Sequence, residues 1–127
     1  MAESKETVVL VLPLPPSVLS PNGQHGHWYK RAAALKKCRM LVRAAVESFG
    51  VESGPWQLAN VRATFYHKVK RRRDGVNYNS MLKGYFDGIV DAQLVQDDDS
   101  AHWVTRDPEF LIDGAFPRVE ITVERVK

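Results

Sequence analysis

The chain is poor in cysteine and has no long apolar run. Its one cysteine, Cys38, cannot form a disulfide within the chain, and no cysteine and histidine pair has the spacing of a zinc site. No apolar run approaches the roughly 20 residues that a membrane-spanning helix needs, and residues 1–7 lack the pattern of an export signal. We therefore expect a protein of the reducing cytoplasm without a membrane anchor.

Length and composition are those of one globular domain. The chain has 127 residues, of which 44% are hydrophobic and 26% charged, so we expect a single domain over residues 1–127 and exclude a disordered chain. The net charge of +3 only hints at a polyanionic partner, but the charges are segregated. Basic residues gather at positions 30–43 and 68–73, and acidic residues at positions 87–99. This separation suits an enzyme that holds a polyanion beside a metal ion.

Two stretches have the spacing of amphipathic helices. Apolar residues at positions 30–49 repeat every three or four residues, which predicts a helix with a basic outer face, and Gly50 can serve as its C-terminal cap. A second helix is predicted from about residue 78 to residue 92. Its glycines, Gly84 and Gly88, each destabilise a helix by up to about 1 kcal/mol relative to alanine.

Four stretches predict strands. Residues 7–12 form a β-branched and leucine run that ends at a proline turn, and residues 57–67 alternate with a period of two. Two closing strands are expected at residues 103–105 and 118–126. The order strand, helix, strand, helix, strand, strand predicts an α/β (α+β) domain with a mixed four-stranded sheet and two main helices.

The segment that indicates chemistry runs from Arg71 to His102. Three arginines lead into Asp74, Lys83 follows on the predicted second helix, and a cluster of acids comes after that helix. Phosphodiester hydrolysis needs oxygen ligands for a hard Mg²⁺ ion and a cation for the charge that develops on the phosphate. It also needs guanidinium groups that position the backbone. This segment contains all three kinds of group.

The same segment resembles the RusA-type Holliday-junction resolvases, the crossover-junction endonucleases of bacteria and phages. The family pattern is an arginine run, Asp-x-Asp-Asn, a helix with Lys and then Phe-Asp, and a final aspartate pair. The similar positions are residues 71–74, Asn77, Lys83, Phe86 with Asp87, and Asp97 with Asp98. Residues 12–17 and 27–30 also resemble the opening turn and the first helix of the family, so the likeness spans nearly the whole chain.

The resemblance implies a RusA-like fold and an Mg²⁺-dependent endodeoxyribonuclease, with Mn²⁺ as an alternative ion. Such an enzyme resolves four-way junctions and other branched DNA by paired nicks. A symmetric homodimer follows, because an open four-way junction has two-fold symmetry. The biological setting that it implies is the host chromosome or a phage genome.

The resemblance also implies roles for individual residues. The implied catalytic residues are Asp74, Lys83 and Asp98, the metal ligands are Asp74, Asp98 and Asp97, and the supporting residues are Asn77 and Asp87. The residues expected to contact DNA are Lys68, Lys70, Arg71, Arg72, Arg73, His27, Trp28, Lys30 and Arg31.

One position departs from the family pattern. Val76 stands where the family has the second aspartate of Asp-x-Asp-Asn, and valine cannot bind a metal ion. An alternative is therefore a catalytically weak or inactive protein that binds junctions. A third hypothesis is a basic nucleic-acid-binding module with no preference for branches.

Several of these side chains also have simpler interpretations. The run at residues 97–99 fits either the cap of a short helix or an exposed turn, and Asp87 fits a helical ion pair with Lys83. Asp91 is expected to be solvated. Trp28 fits the hydrophobic core as well as a contact with an unpaired base.

Overall fold

The computed structural model describes residues 7–19, 28–51, 54–70 and 75–126, with the backbone alone at residues 17, 76 and 77. The elements in order are β1 (Thr7–Leu12), a 3₁₀ helix (Ser17–Leu19), α1 (Trp28–Phe49), β2 (Ala59–His67), α2 (Gly75–Met81), α3 (Lys83–Asp91), β3 (Trp103–Thr105), β4 (Glu109–Ile112) and β5 (Arg118–Arg125). They form a small α+β domain, as the sequence predicted.

The sheet is mixed and four strand positions wide, but it contains five strands. Its order is β1, β5, β2, and then β3 and β4, which both pair with the same edge of β2. β5 runs antiparallel to β1 and β2, whereas β3 and β4 run parallel to β2. The fourth position of the predicted four-stranded sheet therefore holds two short strands, of which β4 is the one that the sequence did not indicate.

The edge strand is interrupted between β3 and β4. Trp103 lies opposite Ala59 and Glu109 lies opposite Thr64, so the edge uses one residue more than β2 over the same distance. Pro108, at the end of the interruption, has no N–H group to donate to a ladder. The extra residue and the proline together explain why the edge pairs in two pieces.

The buried side chains of the sheet lie in rows on one face. Three rows cross β1, β5 and β2, and they consist of Val8, Val123 and Val61, then Leu10, Ile121 and Ala63, then Leu12, Val119 and Phe65. Cys38 and Val42 of α1 and Tyr85 and Ile89 of α3 belong to the same hydrophobic cluster. Because alternate residues of a strand point to opposite faces, the described helices all cover the one face of the sheet that carries these rows.

The first helix matches its prediction closely. α1 begins at Trp28, two residues before the predicted start, and it ends at Phe49 as predicted. Gly50 has a φ of 66°, and its N–H donates to the carbonyl of Glu47 at 3.1 Å. The left-handed conformation that glycine adopts without strain therefore ends the helix, as the sequence indicated.

The second predicted helix is two helices. α2 begins at Gly75, before the predicted start, and α3 follows after Leu82. The N–H of Leu82 is shared between the carbonyls three and four residues earlier, at 3.2 and 3.1 Å, and its ψ is −10°. The backbone therefore tightens at Leu82. Leu82 is buried, so the apolar pattern continues through the break and does not reveal it.

Gly84 and Gly88 lie where α3 packs against α1. A Cβ atom at Gly84 would lie 2.9 Å from the Cβ of Cys38, and one at Gly88 would lie 2.8 Å from the Cβ of Val42. Both distances are shorter than a real contact allows. The two glycines that weaken α3 as an isolated helix therefore permit its close approach to α1.

Candidate functional site

The outer side of α1 is strongly basic, as predicted. Its 22 residues include one acid, Glu47, in the last turn. The buried positions Cys38, Val42 and Val46 define the inner side of the helix. The basic residues of α1 are all exposed, and they are Lys30, Arg31, Lys36, Lys37, Arg39 and Arg43.

Arg39 differs from the other basic residues of α1 because it is bound to α3. Its Nε and Nη2 atoms donate to the two carboxylate oxygens of Asp91 at 2.6 and 2.9 Å. The hydrogen bonds from Arg39 lower the pKa of Asp91. Asp91 is exposed, as expected, but it also has a partner, Arg39, that was not predicted. No periodicity signals this pair, since its partners lie on different helices.

Two aromatic side chains stand exposed at the start of α1. Trp28 is 80% exposed and Tyr29 is 55% exposed, and their rings meet edge to face with centroids 6.3 Å apart. Trp28 therefore does not pack into the core, which excludes one of its two interpretations. Its predicted contact with DNA stays a prediction. Lys30 and Arg31 follow directly on the same helix, and the Arg31 guanidinium lies 3.3 Å from the Val18 carbonyl oxygen.

Lys83 is the first residue of α3, and its side chain is 65% exposed. Its Nζ donates to the Asp87 carboxylate at 3.2 Å, which confirms the helical ion pair that the spacing predicted. Asp87 also acts electrostatically on Arg39 of α1. Three of these charges, Lys83, Asp87 and Asp91, lie on α3, and the fourth, Arg39, lies on α1. Positive and negative charges therefore alternate along the line Lys83, Asp87, Arg39, Asp91.

The acidic run forms an exposed turn, in which the three carboxylates differ. Asp97 accepts the N–H of Asp98 at 2.7 Å, and Asp99 accepts the N–H of Ala101 at 3.0 Å. These two side chains stabilise the turn. The Asp98 carboxylate is exposed and makes no hydrogen bond or ion pair with any other residue that the structure describes. Asp98 is therefore the member of the run that the turn leaves available.

His102 fastens the acidic turn to the start of β2. Its Nδ1 lies 2.7 Å from the carbonyl oxygen of Gln57, so this nitrogen carries a proton and donates it. Its Nε2 lies 4.0 Å from the carboxylate of Asp99. The backbone N–H of His102 also donates to the Asp99 carbonyl at 3.0 Å. His102 therefore connects the C-terminal end of the acidic turn to the segment just before β2.

An aromatic cluster anchors the elements on both sides of residues 71–74. The Tyr78 ring of α2 lies 4.8 Å from Phe65, 5.5 Å from His67 and 5.1 Å from Phe110, centroid to centroid. The cluster therefore fixes α2 over the end of β2. Lys68 and Lys70, which follow β2, are exposed. The sequence did not indicate this cluster, because Phe110 lies on β4, which no pattern predicted.

The structure describes only some of the predicted site residues and brings only two of them together. Lys83 and Asp87 are brought together, whereas no hydrogen bond or ion pair within the described ranges joins Lys83 to Asp97 or Asp98. Among the residues that the structure describes, no group of three or more His, Cys, Asp or Glu is placed to hold a metal ion. The positions outside the described residues are His27, Arg71, Arg72, Arg73 and Asp74, together with the side chains of Val76 and Asn77.

Comparisons with protein-family models and with curated proteins identified no relative of this chain. No protein-family model matches the chain, and no curated protein matches it. The RusA-type resemblance therefore rests on the sequence motif at residues 71–98 and on the similar positions 12–17 and 27–30. Within residues 7–19, 28–51, 54–70 and 75–126, no helical segment combines the length and the hydrophobicity of a transmembrane span.

Proposed function

We propose that this protein is an Mg²⁺-dependent endonuclease of the cytoplasm that cuts four-way and other branched DNA by paired nicks, acting as a symmetric homodimer. The observation that carries the proposal is the order of groups along residues 71–98. An arginine run ends in Asp74, Lys83 opens a helix, and an acid pair follows that helix. The exposure of Lys83 and Asp98 supports it, because a DNA backbone can reach both side chains.

The carboxylates suit a hard cation. Mg²⁺ prefers oxygen ligands and keeps several of its waters, so a small number of protein ligands is enough. Asp74 and Asp98 would hold the ion with help from Asp97, and a bound Mg²⁺ supplies a water of lowered pKa. Asp98 is the better of the two described candidates, since one oxygen of Asp97 already accepts a hydrogen bond from the turn.

Lys83 and the basic residues would act on the phosphates. The Lys83 ammonium would stabilise the charge that develops on the scissile phosphate. The Asp87 carboxylate, one helical turn later, accepts a hydrogen bond from Lys83 Nζ at 3.2 Å and orients the ammonium. Lys68 and Lys70 are exposed and directly precede the arginine run in the sequence, so they would bind flanking phosphates. Binding of this kind weakens steeply as the salt concentration rises.

The roles of the acidic residues are tested by a matched pair of variants. Asp98→Asn and Asp99→Asn each remove one negative charge from the same exposed turn. We expect Asp98→Asn to lower the Mg²⁺-dependent nicking rate of a labelled four-way junction by at least about 100-fold, because losing a ligand outweighs losing an outer-shell partner. Asp99→Asn should keep most of the activity. Equal rates in the two variants would contradict the assignment of Asp98.

Val76 favours a second candidate function, a protein that binds junctions without cutting them. The two candidates differ in Mg²⁺-dependent cleavage and in the effect of Val76→Asp, which adds the carboxylate that the resemblance leads us to expect. A faster rate in Val76→Asp supports the enzyme. No cleavage by the wild type and no gain in Val76→Asp would support the binding protein.

A general basic nucleic-acid-binding module is separated from both candidates by competition binding. We expect unlabelled four-way junction to displace labelled junction at a lower concentration than linear duplex does, at one fixed salt concentration. Equal competition by the two DNAs would favour the general module and contradict the resolvase.

A further inference from the structure

The outward side of α1 carries two edges of positive charge with an apolar strip between them. We call this surface the α1 outer face and define it by Lys30, Lys36, Lys37 and Arg43 together with Ala33, Met40 and Ala44. Met40 is 60% exposed. A shallow groove of about 400 Å³ runs along the strip between Lys36 and Lys37. Lys36 and Arg43 also border a second depression, which leads to Asp91.

The fold uses these charges little: Arg43 acts electrostatically on Asp91, which Arg39 already binds. Arg39 is held by Asp91, but Lys30, Lys36, Lys37 and Arg43 make no hydrogen bond or ion pair with any residue in the described part of the chain. The four cations concentrate positive charge on the outward side of α1, although none of them lies three or four residues from another. A partner of opposite charge would neutralise that charge.

The exposed aromatic residues indicate what kind of polyanion fits. Trp28 and Tyr29 lie at the start of α1, directly before Lys30. Exposed aromatic rings beside cations stack on unpaired nucleic-acid bases while the cations bind the backbone. A second copy of this face is a poor partner, since it would bring like charges together.

We propose that the α1 outer face is a second phosphate-binding surface for DNA, along which one arm of a branched substrate lies, with Trp28 at the unpaired bases of the branch. The inference rests on the proposed function and adds Lys36, Lys37 and Arg43 to the residues that contact DNA. Lys30 and Arg43 are 13 residues apart, a rise of about 20 Å along α1, which matches roughly six base pairs of duplex.

The test compares two variants that change the net charge equally. Lys36→Gln/Lys37→Gln alters the α1 outer face, and Arg62→Gln/Arg106→Gln alters exposed positions of the sheet region. Junction affinity is measured in EDTA over a range of salt concentrations, so that cleavage does not interfere. We expect the lysine variant to reduce the slope of log affinity against log salt by about 2, one unit for each lost phosphate contact. The arginine control should keep the wild-type slope.

Trp28→Ala tests the branch end of the same surface. We expect about 10-fold weaker binding to the junction, with linear duplex binding and the salt slope unchanged, because a stacked base is lost but no phosphate contact. Trp56 and Trp103 are buried, so quenching of tryptophan fluorescence by a water-soluble quencher reports mainly the exposed Trp28 ring. An equal loss of junction and duplex binding would contradict the placement of Trp28 at the branch.

The outcomes separate this inference from the proposed function. A wild type that prefers and nicks junctions, with the same salt slope in Lys36→Gln/Lys37→Gln, would overturn the inference and leave the proposed function intact. A wild type that binds junction and duplex equally would contradict the proposed function, and the slope would still decide whether the α1 outer face binds phosphate. Poly-glutamate that displaces junction DNA as effectively as unlabelled junction would indicate an acidic protein partner and overturn the inference.

Discussion

Both sides of α1 carry basic residues, but these residues have different partners on the two sides. On the side that faces α3, Arg39 is bound by both oxygens of Asp91, and the helices meet at Gly84 and Gly88. On the outward side, Lys36 and Lys37 flank an apolar strip and are not paired with any described residue. A basic run in a sequence can therefore divide into residues that join helices and residues that remain available for a ligand. Variants on the two sides of α1 test this division.

Gly88→Ala should produce the largest loss of stability on the inner side. The new Cβ would lie 2.8 Å from the Cβ of Val42 and 3.0 Å from the backbone of Arg39, and backbone atoms cannot move aside cheaply. We expect the free energy of unfolding to fall by about 2 kcal/mol, the middle of the range for overpacked sites. Chemical denaturation measures this change.

Gly114→Ala is the matched control for Gly88→Ala. A Cβ at Gly114 would lie 3.5 Å from the nearest atom, the Lys68 carbonyl oxygen, which is ordinary contact. We expect a change within about 0.5 kcal/mol, as at other surface positions. Similar losses in the two glycine variants would mean that the α1 and α3 contact is not limited by the missing side chain.

Tyr85→Phe should produce an intermediate loss. The buried Tyr85 hydroxyl donates to the Pro13 carbonyl at 2.6 Å and ties α3 to the turn after β1. Its removal leaves a carbonyl without that donor, so we expect a loss of about 1 kcal/mol in the free energy of unfolding. Lys37→Gln, on the outward side, should change the same quantity by less than about 0.5 kcal/mol. A larger loss in the free energy of unfolding for Lys37→Gln than for Tyr85→Phe would contradict the view that the outward side of α1 contributes less to stability than the contact with α3.

Asp91→Asn should produce a smaller loss than Gly88→Ala or Tyr85→Phe, and one that depends on pH. Hydrogen bonds from Arg39 lower the folded-state pKa of Asp91, so the pair stabilises the fold above the ordinary aspartate pKa of about 3.9. That stability is lost as the pH falls through the lowered folded-state value. We expect Tm to fall slightly at pH 7, since the pair is exposed, and the difference from the wild type to shrink in acid. A difference that grows in acid would contradict this assignment.

The long elements follow from periodicity, and the short ones do not. α1, β1 and β2 extend over enough residues for a period of 3.6 or 2 to be visible, and Gly50 marks the end of α1. β4 has four residues on an interrupted edge, too few for alternation to be distinctive. The break at Leu82 depends on backbone geometry inside a continuous apolar pattern, so composition does not reveal it.

The candidate site was predictable only where its contacts are local. The Lys83 and Asp87 pair follows from helical spacing, because residues four apart share a face. The difference between Asp98 and its neighbours depends on which backbone N–H groups the turn presents, and three identical residues give no sign of it. The pair of Arg39 and Asp91 joins residues far apart in the chain, and only the packing of α1 on α3 brings them together.

The most direct test of the proposed function is the cleavage of a labelled synthetic four-way junction in Mg²⁺, with a linear duplex of the same sequence and the Asp74→Asn variant as controls. We predict symmetric nicks in two opposing strands of the junction, none in the duplex, and none from Asp74→Asn. Junction binding without nicks in either Mg²⁺ or Mn²⁺ would contradict the assignment of this protein as an endonuclease.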